Sequence, residues 1–439
     1  MPPSYPALVR AAWLGVLVTV VLLLIGFGAP HWLDWDVASR APRNASPHEV
    51  PPLHGLWQPN WFGPGTIPAV LIALLGWRYA AGLAARLSWR RLLLASYVGS
   101  LAWLLSLALV DGTSGLSRVL GNPYEYLRTA RQVGDVGTLL DTYISRIPQG
   151  ADGAWPTHVA GHPPATLLFF VGLVKVGLGG DLAAGVVVSV LAATTGVAVL
   201  VTLRALDAEE WARRAAPFVV LTPAAVFMAV SADALIAAVA AWGLACLALS
   251  TRRLWWAVPS GLLLGTAVLM SYGMPLIGLV AVAVLVAGRS WKPLPVAAVT
   301  ALAVVLAFAA AGFAWWDAYP VLRQRYLDGI ASSRPQSYWW YGDLAALVVS
   351  AGPLLLPGLF VAAAARTRVV VLLAGSAALA VAVADASGMS KAEVERIWLP
   401  FVRWLTLSLA VLPERWRRGG LGVQVAAALL VQHLFYTSW

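Results

Sequence analysis

Between residues 11 and 28 the chain carries no charged side chain, and apolar runs of this kind recur to its end. Such a run is about the length an α-helix needs to cross the roughly 30 Å hydrocarbon core of a bilayer. Backbone amides find no water there, so each run must close its hydrogen bonds internally as helix. Composition agrees. Of 439 residues, 60% are hydrophobic and 11% charged, and the mean hydropathy is +0.77, more apolar surface than a soluble domain can bury. The fold class expected is an all-α polytopic membrane protein of about 13 transmembrane helices. No small-residue cleavage site follows the first run, which reads as a retained helix rather than a signal peptide.

A formal charge of +10 would suggest nucleic acid as the partner of a soluble protein. Here it marks cytoplasmic loops under the positive-inside rule, and no nucleic-acid partner is expected. Arg10 places the N-terminus inside, and a loop over residues 31–65 with Asp34 and Asp36 lies outside. A helix from Thr66 returns to Arg78, Arg86, Arg90 and Arg91, and a third, over 92–110, delivers Asp111 to the outer face. Further spans are expected over 182–203, 215–230 and 293–313, and from about Leu344 and Val369. Ser231-Ala232-Asp233 and Ser271-Tyr272 then face outward, while Thr251-Arg252-Arg253 faces inward. This alternation balances if the fourteen-residue run 165–178, short for a span, does not cross completely. The one cysteine, Cys246, lies in an apolar run, so neither a disulfide nor a Cys metal site is expected. The organisation expected is an N-terminal two-helix segment with an external loop, 1–91, and a single transmembrane core, 92–439.

The longest polar interval runs from Asp111 to Pro164 and carries Glu125, Arg128, Arg131, His158 and His162. Two patterns in it are amphipathic, one with Tyr124, Leu127 and Arg131 and one with Leu139, Leu140, Tyr143, Ile144 and Ile147. Both suit short helices resting on the lipid interface. Asp111 alone is an ordinary helix-end acid. Asp233, between apolar runs that together exceed a span, is costly there and marks a functional candidate. His158 and His162 sit four apart, but Gly161, Pro163 and Pro164 oppose a shared helix, and no third metal ligand is near. Substrate or phosphate contact suits them better than a metal. Arg396 and Arg403 stand on the outer side against the charge trend, so each needs an anion: a lipid phosphate, or Glu393 or Glu395.

Taken in order, these features resemble the GT-C superfamily of polyprenyl-phosphate-sugar-dependent membrane glycosyltransferases, in its bacterial mannosyl- or arabinosyltransferase-like form. In that superfamily an acid opens a large external loop with interfacial helices, and the loop closes on a (Tyr/His)-Pro-Pro motif. Here these elements look like Asp111 and His162-Pro163-Pro164. A second acid at a helix start looks like Asp233, and a late Arg-(Tyr)-Leu-x-Pro element looks like 396–400. The acid pair common after the family's first helix is absent, since Gly112 follows Asp111; Asp34 and Asp36 are rivals for that role.

The resemblance implies a GT-C-like bundle in the plasma membrane with its active site facing the exterior. It also implies inverting transfer of a sugar from a polyprenyl-phosphate donor to a lipid or glycan acceptor. Asp111 and Asp233 are then the catalytic candidates, and His158, His162, Arg396, Arg128 and Tyr272 the substrate- or phosphate-binding ones. No metal-ligating set is assigned, though room is left for a divalent cation as cofactor. The competing classes are a transporter or lipid flippase using the same acids, and a metalloenzyme built on His158 and His162.

Overall fold

The computed structural model describes residues 4–40 and 45–437. Among these, seven helices are long and apolar enough to cross a membrane: Tyr5–Trp32, Thr66–Arg86, Trp89–Gly121, Asp181–Ala205, Ala232–Ser250, Pro293–Ala310 and Arg368–Ala386. Gln336–Ala351 and Leu355–Ala365, bent by 91° at their junction, make an eighth if taken as one broken span. Four more apolar helices are shorter. One of them, Pro164–Lys175, has 12 residues and so reaches only about 18 Å. The protein is thus an all-α membrane-type bundle, with a single two-stranded sheet in the described residues that pairs Gly55–Trp57 antiparallel with Phe435–Thr437.

The expected span over 215–230 is interrupted. The helix Glu209–Val220 stops before Thr222-Pro223, and the chain resumes as the single turn Ala225–Met228. Pro223 has no amide to donate and restricts Thr222 before it. Carbonyls freed in an apolar interior need new partners. Trp103 Nε1 donates to the Thr222 carbonyl at 3.0 Å, and the buried guanidinium of Arg403 donates to that of Val219. Among the described residues, Arg403 therefore meets a helix end and no carboxylate. The bend at Gly352-Pro353 is repaired in the same way: Gln424 donates to the Ala351 carbonyl at 2.9 Å and accepts from the Leu354 amide at 3.2 Å. Gly352, at φ 93°, occupies a region that side chains disfavour.

The N-terminal helices are packed into the bundle. Tyr5–Trp32 lies against Leu355–Ala365, with Gly15 so close to Pro357 that a Cβ there would sit 2.4 Å from its Cα. Thr66–Arg86 runs antiparallel to Glu414–Leu434, from the Thr66–His433 contact (2.9 Å) to the bond from Trp77 Nε1 to the Arg418 carbonyl (3.0 Å). The chemistry of the two ends differs. The helix Ala232–Ser250 runs from Asp233 to Arg252, and Trp89–Ala108 runs from Arg90 and Arg91 toward Asp111. The bundle thus has a carboxylate end, covered by the polar loop, and an arginine end.

Small residues set the closest approach. Gly261 and Gly265, one turn apart, press the helix Ala257–Val268 onto Pro293–Ala310; a Cβ at these positions would lie 2.4 Å from Ala297 O and 2.7 Å from Ala301 O. In lipid, such contacts replace the hydrophobic effect as the force between helices. Gly261→Val should push the helices apart at a cost of roughly 1–3 kcal/mol, read as a lower melting midpoint in detergent. An unchanged midpoint would refute the close packing.

Candidate functional site

At the carboxylate end the polar loop folds back over the head of the helix Ala232–Ser250. Short helices Tyr126–Ala130 and Val136–Asp141 form within it, the second capped by Asp135, whose carboxylate accepts the Thr138 amide at 2.6 Å. Their apolar side, with Leu127, Leu139, Leu140, Tyr143 and Ile147, is buried against the protein. Tyr143 stands edge-on to Phe313, and its hydroxyl donates to the carbonyls of Val159 (2.8 Å) and His162 (3.0 Å). The THVAGHPP stretch is pinned by that contact. His158 lies in the turn Thr157–Ala160, while His162 falls beyond its end at Gly161, so the two imidazoles do not share a helix face.

Asp233 sits in the first turn of its helix, where the macrodipole favours a carboxylate, and Ser231 caps the helix by accepting the Asp233 amide at 3.1 Å. Arg396 Nη1 donates to Asp233 Oδ2 at 2.5 Å, and Nη2 donates to Glu393 Oε2 at 2.9 Å. Nη2 also lies 3.3 Å from His158 Nε2. Because the guanidinium only donates, His158 Nε2 is the accepting nitrogen, and its Nδ1 proton faces Glu125 Oε1 at 2.6 Å. His162 gives its Nδ1 proton to the His158 carbonyl at 3.0 Å, which turns its Nε2 lone pair toward Asp233 Oδ1, 3.9 Å away. Burial pushes His162 below the ordinary imidazole range, although Asp233 pulls the other way. Asp233, Arg396 and Glu125 are all buried.

The network extends through Glu393 to Arg334 (3.4 Å) and His54 (3.8 Å). Three backbone positions flanking it are held at positive φ without glycine: Val230 (67°), Ala392 (65°) and Glu393 (63°). Such strain costs on the order of 1–3 kcal/mol per residue and gathers at functional sites.

Asp111 lies in a second cluster. It follows the helix Trp89–Ala108 in a tight turn, with Gly112 at φ 66°. Its carboxylate accepts from Asn60 Nδ2 at 3.1 Å and from Arg118 Nη2 at 3.0 Å. Arg118 also donates to the Thr437 carbonyl and lies over the Tyr436 ring. Asp111 is partly exposed, whereas Asp233 is enclosed.

Of the other sequence candidates, Arg128 is exposed, and Tyr272 is buried beside Trp315 and Tyr319, its hydroxyl without a hydrogen-bond partner among the described residues. Asp34 and Asp36 are exposed, and neither joins either cluster. Glu393 does pair with Arg396, while Glu395 accepts the His54 amide at 2.9 Å. Sequence reasoning missed His54, which sits in a Pro-rich loop without periodicity and reaches Glu393 only through the fold. Among the described residues, no group of three or more His, Cys, Asp or Glu side chains is arranged to hold a metal ion. Compared with known proteins, the sequence matches no family model and no curated protein.

Chemically, the first cluster presents fixed guanidinium and imidazole groups beside a buried carboxylate, and the second a carboxylate that solvent reaches. Asp233→Asn or Arg396→Met alone leaves a buried charge without its partner and should cost about 3–5 kcal/mol. The double variant should lose clearly less than the sum, as a denaturant double-mutant cycle in detergent would show; strict additivity would dissolve the pair as an energetic unit.

The pH response is set in part by His54. Burial, opposed by Glu393, pushes its imidazole down to about 4 from 6.5. The fold therefore favours the neutral ring. That contribution is complete above pH 6.5 and is lost as pH falls through the window from 6.5 to about 4. His54→Gln should flatten the fall of the melting midpoint across this window, and a slope identical to the wild type would exclude His54 as its source.

Proposed function

We propose that this chain is a plasma-membrane glycosyltransferase that moves a sugar, mannose or arabinose, from a polyprenyl-phosphate donor to a hydroxyl of a cell-envelope lipid or glycan. The observation that carries the reading is one juxtaposition. The loop end with His158 and His162, the helix start at Asp233 and the late element at Arg396 lie far apart in sequence and meet within 2.5–3.9 Å. These are the stretches whose order and chemistry resemble the GT-C superfamily. In this reading the shorter apolar helices and Glu414–Leu434 complete a GT-C-like bundle of about thirteen helices, with both clusters on the exterior face.

The reaction is a single displacement with inversion. The acceptor oxygen bonds to the anomeric carbon while the carbon–oxygen bond to phosphate breaks, its electron pair leaving with the phosphate. In this reading Asp111, partly exposed and held by Asn60 and Arg118, takes the acceptor proton. Arg396 supplies the positive charge that stabilises the departing phosphate, Asp233 positions Arg396, and His158 and His162 line the phosphate side. Arg128 serves as an outer contact for the donor, and Tyr272, with its buried hydroxyl, as an inner one. A divalent cation, if the reaction uses one, belongs with the phosphate.

A transporter or lipid flippase is the second reading. The 91° break between Gln336–Ala351 and Leu355–Ala365 favours it, because discontinuous helices line many transport sites. Purified protein in vesicles, given polyprenyl-phosphate mannose or arabinose and an envelope lipid extract, separates the two. The transferase yields a new glycosidic product by mass spectrometry, and Asp111→Asn lowers its rate about 10²–10⁴-fold. Lipid movement with no such product would establish the transporter instead.

A further inference from the structure

The arginine end, opposite the clusters of Asp111 and Asp233, carries a groove that the proposed transfer does not use. It has a volume of ≈ 1110 Å³ and opens between the helices Thr66–Arg86 and Trp89–Ala108, with Pro217, Val220 and Leu221 as its floor. That floor is the last turn of the helix Glu209–Val220 with its C-cap Leu221. Gly76 and Gly99 bring the two walls close against Leu221 and Val220 of the floor, Gly82 faces open space, and Leu75 and Leu83 along the groove are exposed. Arg78, Arg86 and Arg418 stand at its margin, all exposed, and none forms an ion pair among the described residues. Among the described residues, no Asp or Glu lines the groove.

We infer that this groove is a binding site for one anionic phospholipid, its acyl chain along the apolar channel and its phosphate at Arg78, Arg86 and Arg418. Two features select that occupant together. An apolar channel gives a small water-soluble anion nothing to bury, and three guanidinium groups without a carboxylate partner among the described residues give a zwitterionic headgroup no preference over an anionic one. An amphiphile with net negative charge satisfies both. The arginine-rich end faces the cytoplasm under the positive-inside rule, which places the lipid in that leaflet, away from a donor handled at the other end.

The test uses the full chain, delipidated in detergent and followed by native mass spectrometry. It is titrated separately with phosphatidylglycerol, phosphatidylcholine and inorganic phosphate. One phosphatidylglycerol should bind at least tenfold more tightly than phosphatidylcholine, and inorganic phosphate should not displace it. R78Q/R86Q/R418Q should weaken phosphatidylglycerol at least tenfold. Ala95→Trp, which fills the channel but keeps the charges, should do the same. Both variants should keep the lipid-free melting midpoint, and a variant that loses it is replaced by Ala95→Phe or by R78Q/R418Q alone. Equal affinity for the two lipids, retained binding in either variant, or displacement by inorganic phosphate would overturn the assignment.

Discussion

Enclosing a carboxylate at the head of an almost wholly buried helix is affordable only with a cation at contact distance. Asp233 has one in Arg396. Taking both ions out of water costs several kcal/mol each, and their attraction offsets this only when the remaining hydrogen bonds are also made. That condition organises the carboxylate end. Glu393 takes a second nitrogen of the guanidinium, His158 accepts from it, and Glu125 orients His158 from behind. Four stretches of chain are thereby held to one point, and the strained backbone at Val230, Ala392 and Glu393 is tolerated because the surrounding contacts over-determine it.

The same accounting of backbone and charge explains the irregular helices. At both breaks described above a polar side chain reaches in from a distant segment: Trp103 and Arg403 at Thr222-Pro223, Gln424 at Gly352-Pro353. Arg403 is instructive, because a buried cation suggests an anionic ligand, yet its partner is the carbonyl end of a helix, which carries partial negative charge.

The apolar runs carry most of the architecture in plain view, since hydropathy and length alone separate long helices from polar loops. Asp111, Asp233, His162 and Arg396 also stand out, as charged or punctuating residues against apolar surroundings. What hydropathy cannot express is interruption. Residues 215–230 look like a span, but a single Thr-Pro step divides them, and the bend at Gly352-Pro353 is repaired by a glutamine some seventy residues later. Nor does a sequence show which polar groups meet. His54 and Arg334 join the cluster through Glu393, and Asp111 takes partners of its own, Asn60 and Arg118, away from those of Asp233.

The pairing of Gly55–Trp57 with Phe435–Thr437 bears on how the protein is made. Synthesis is vectorial, at roughly 5–20 residues per second, so the first of these strands waits on the order of tens of seconds for the second. During that interval almost every intervening helix must insert and pack. Arg118, which grips Asp111, must meanwhile do without its contacts to Tyr436 and Thr437. The surroundings of Asp111 are thus complete only once the strand Phe435–Thr437 has been made and has paired.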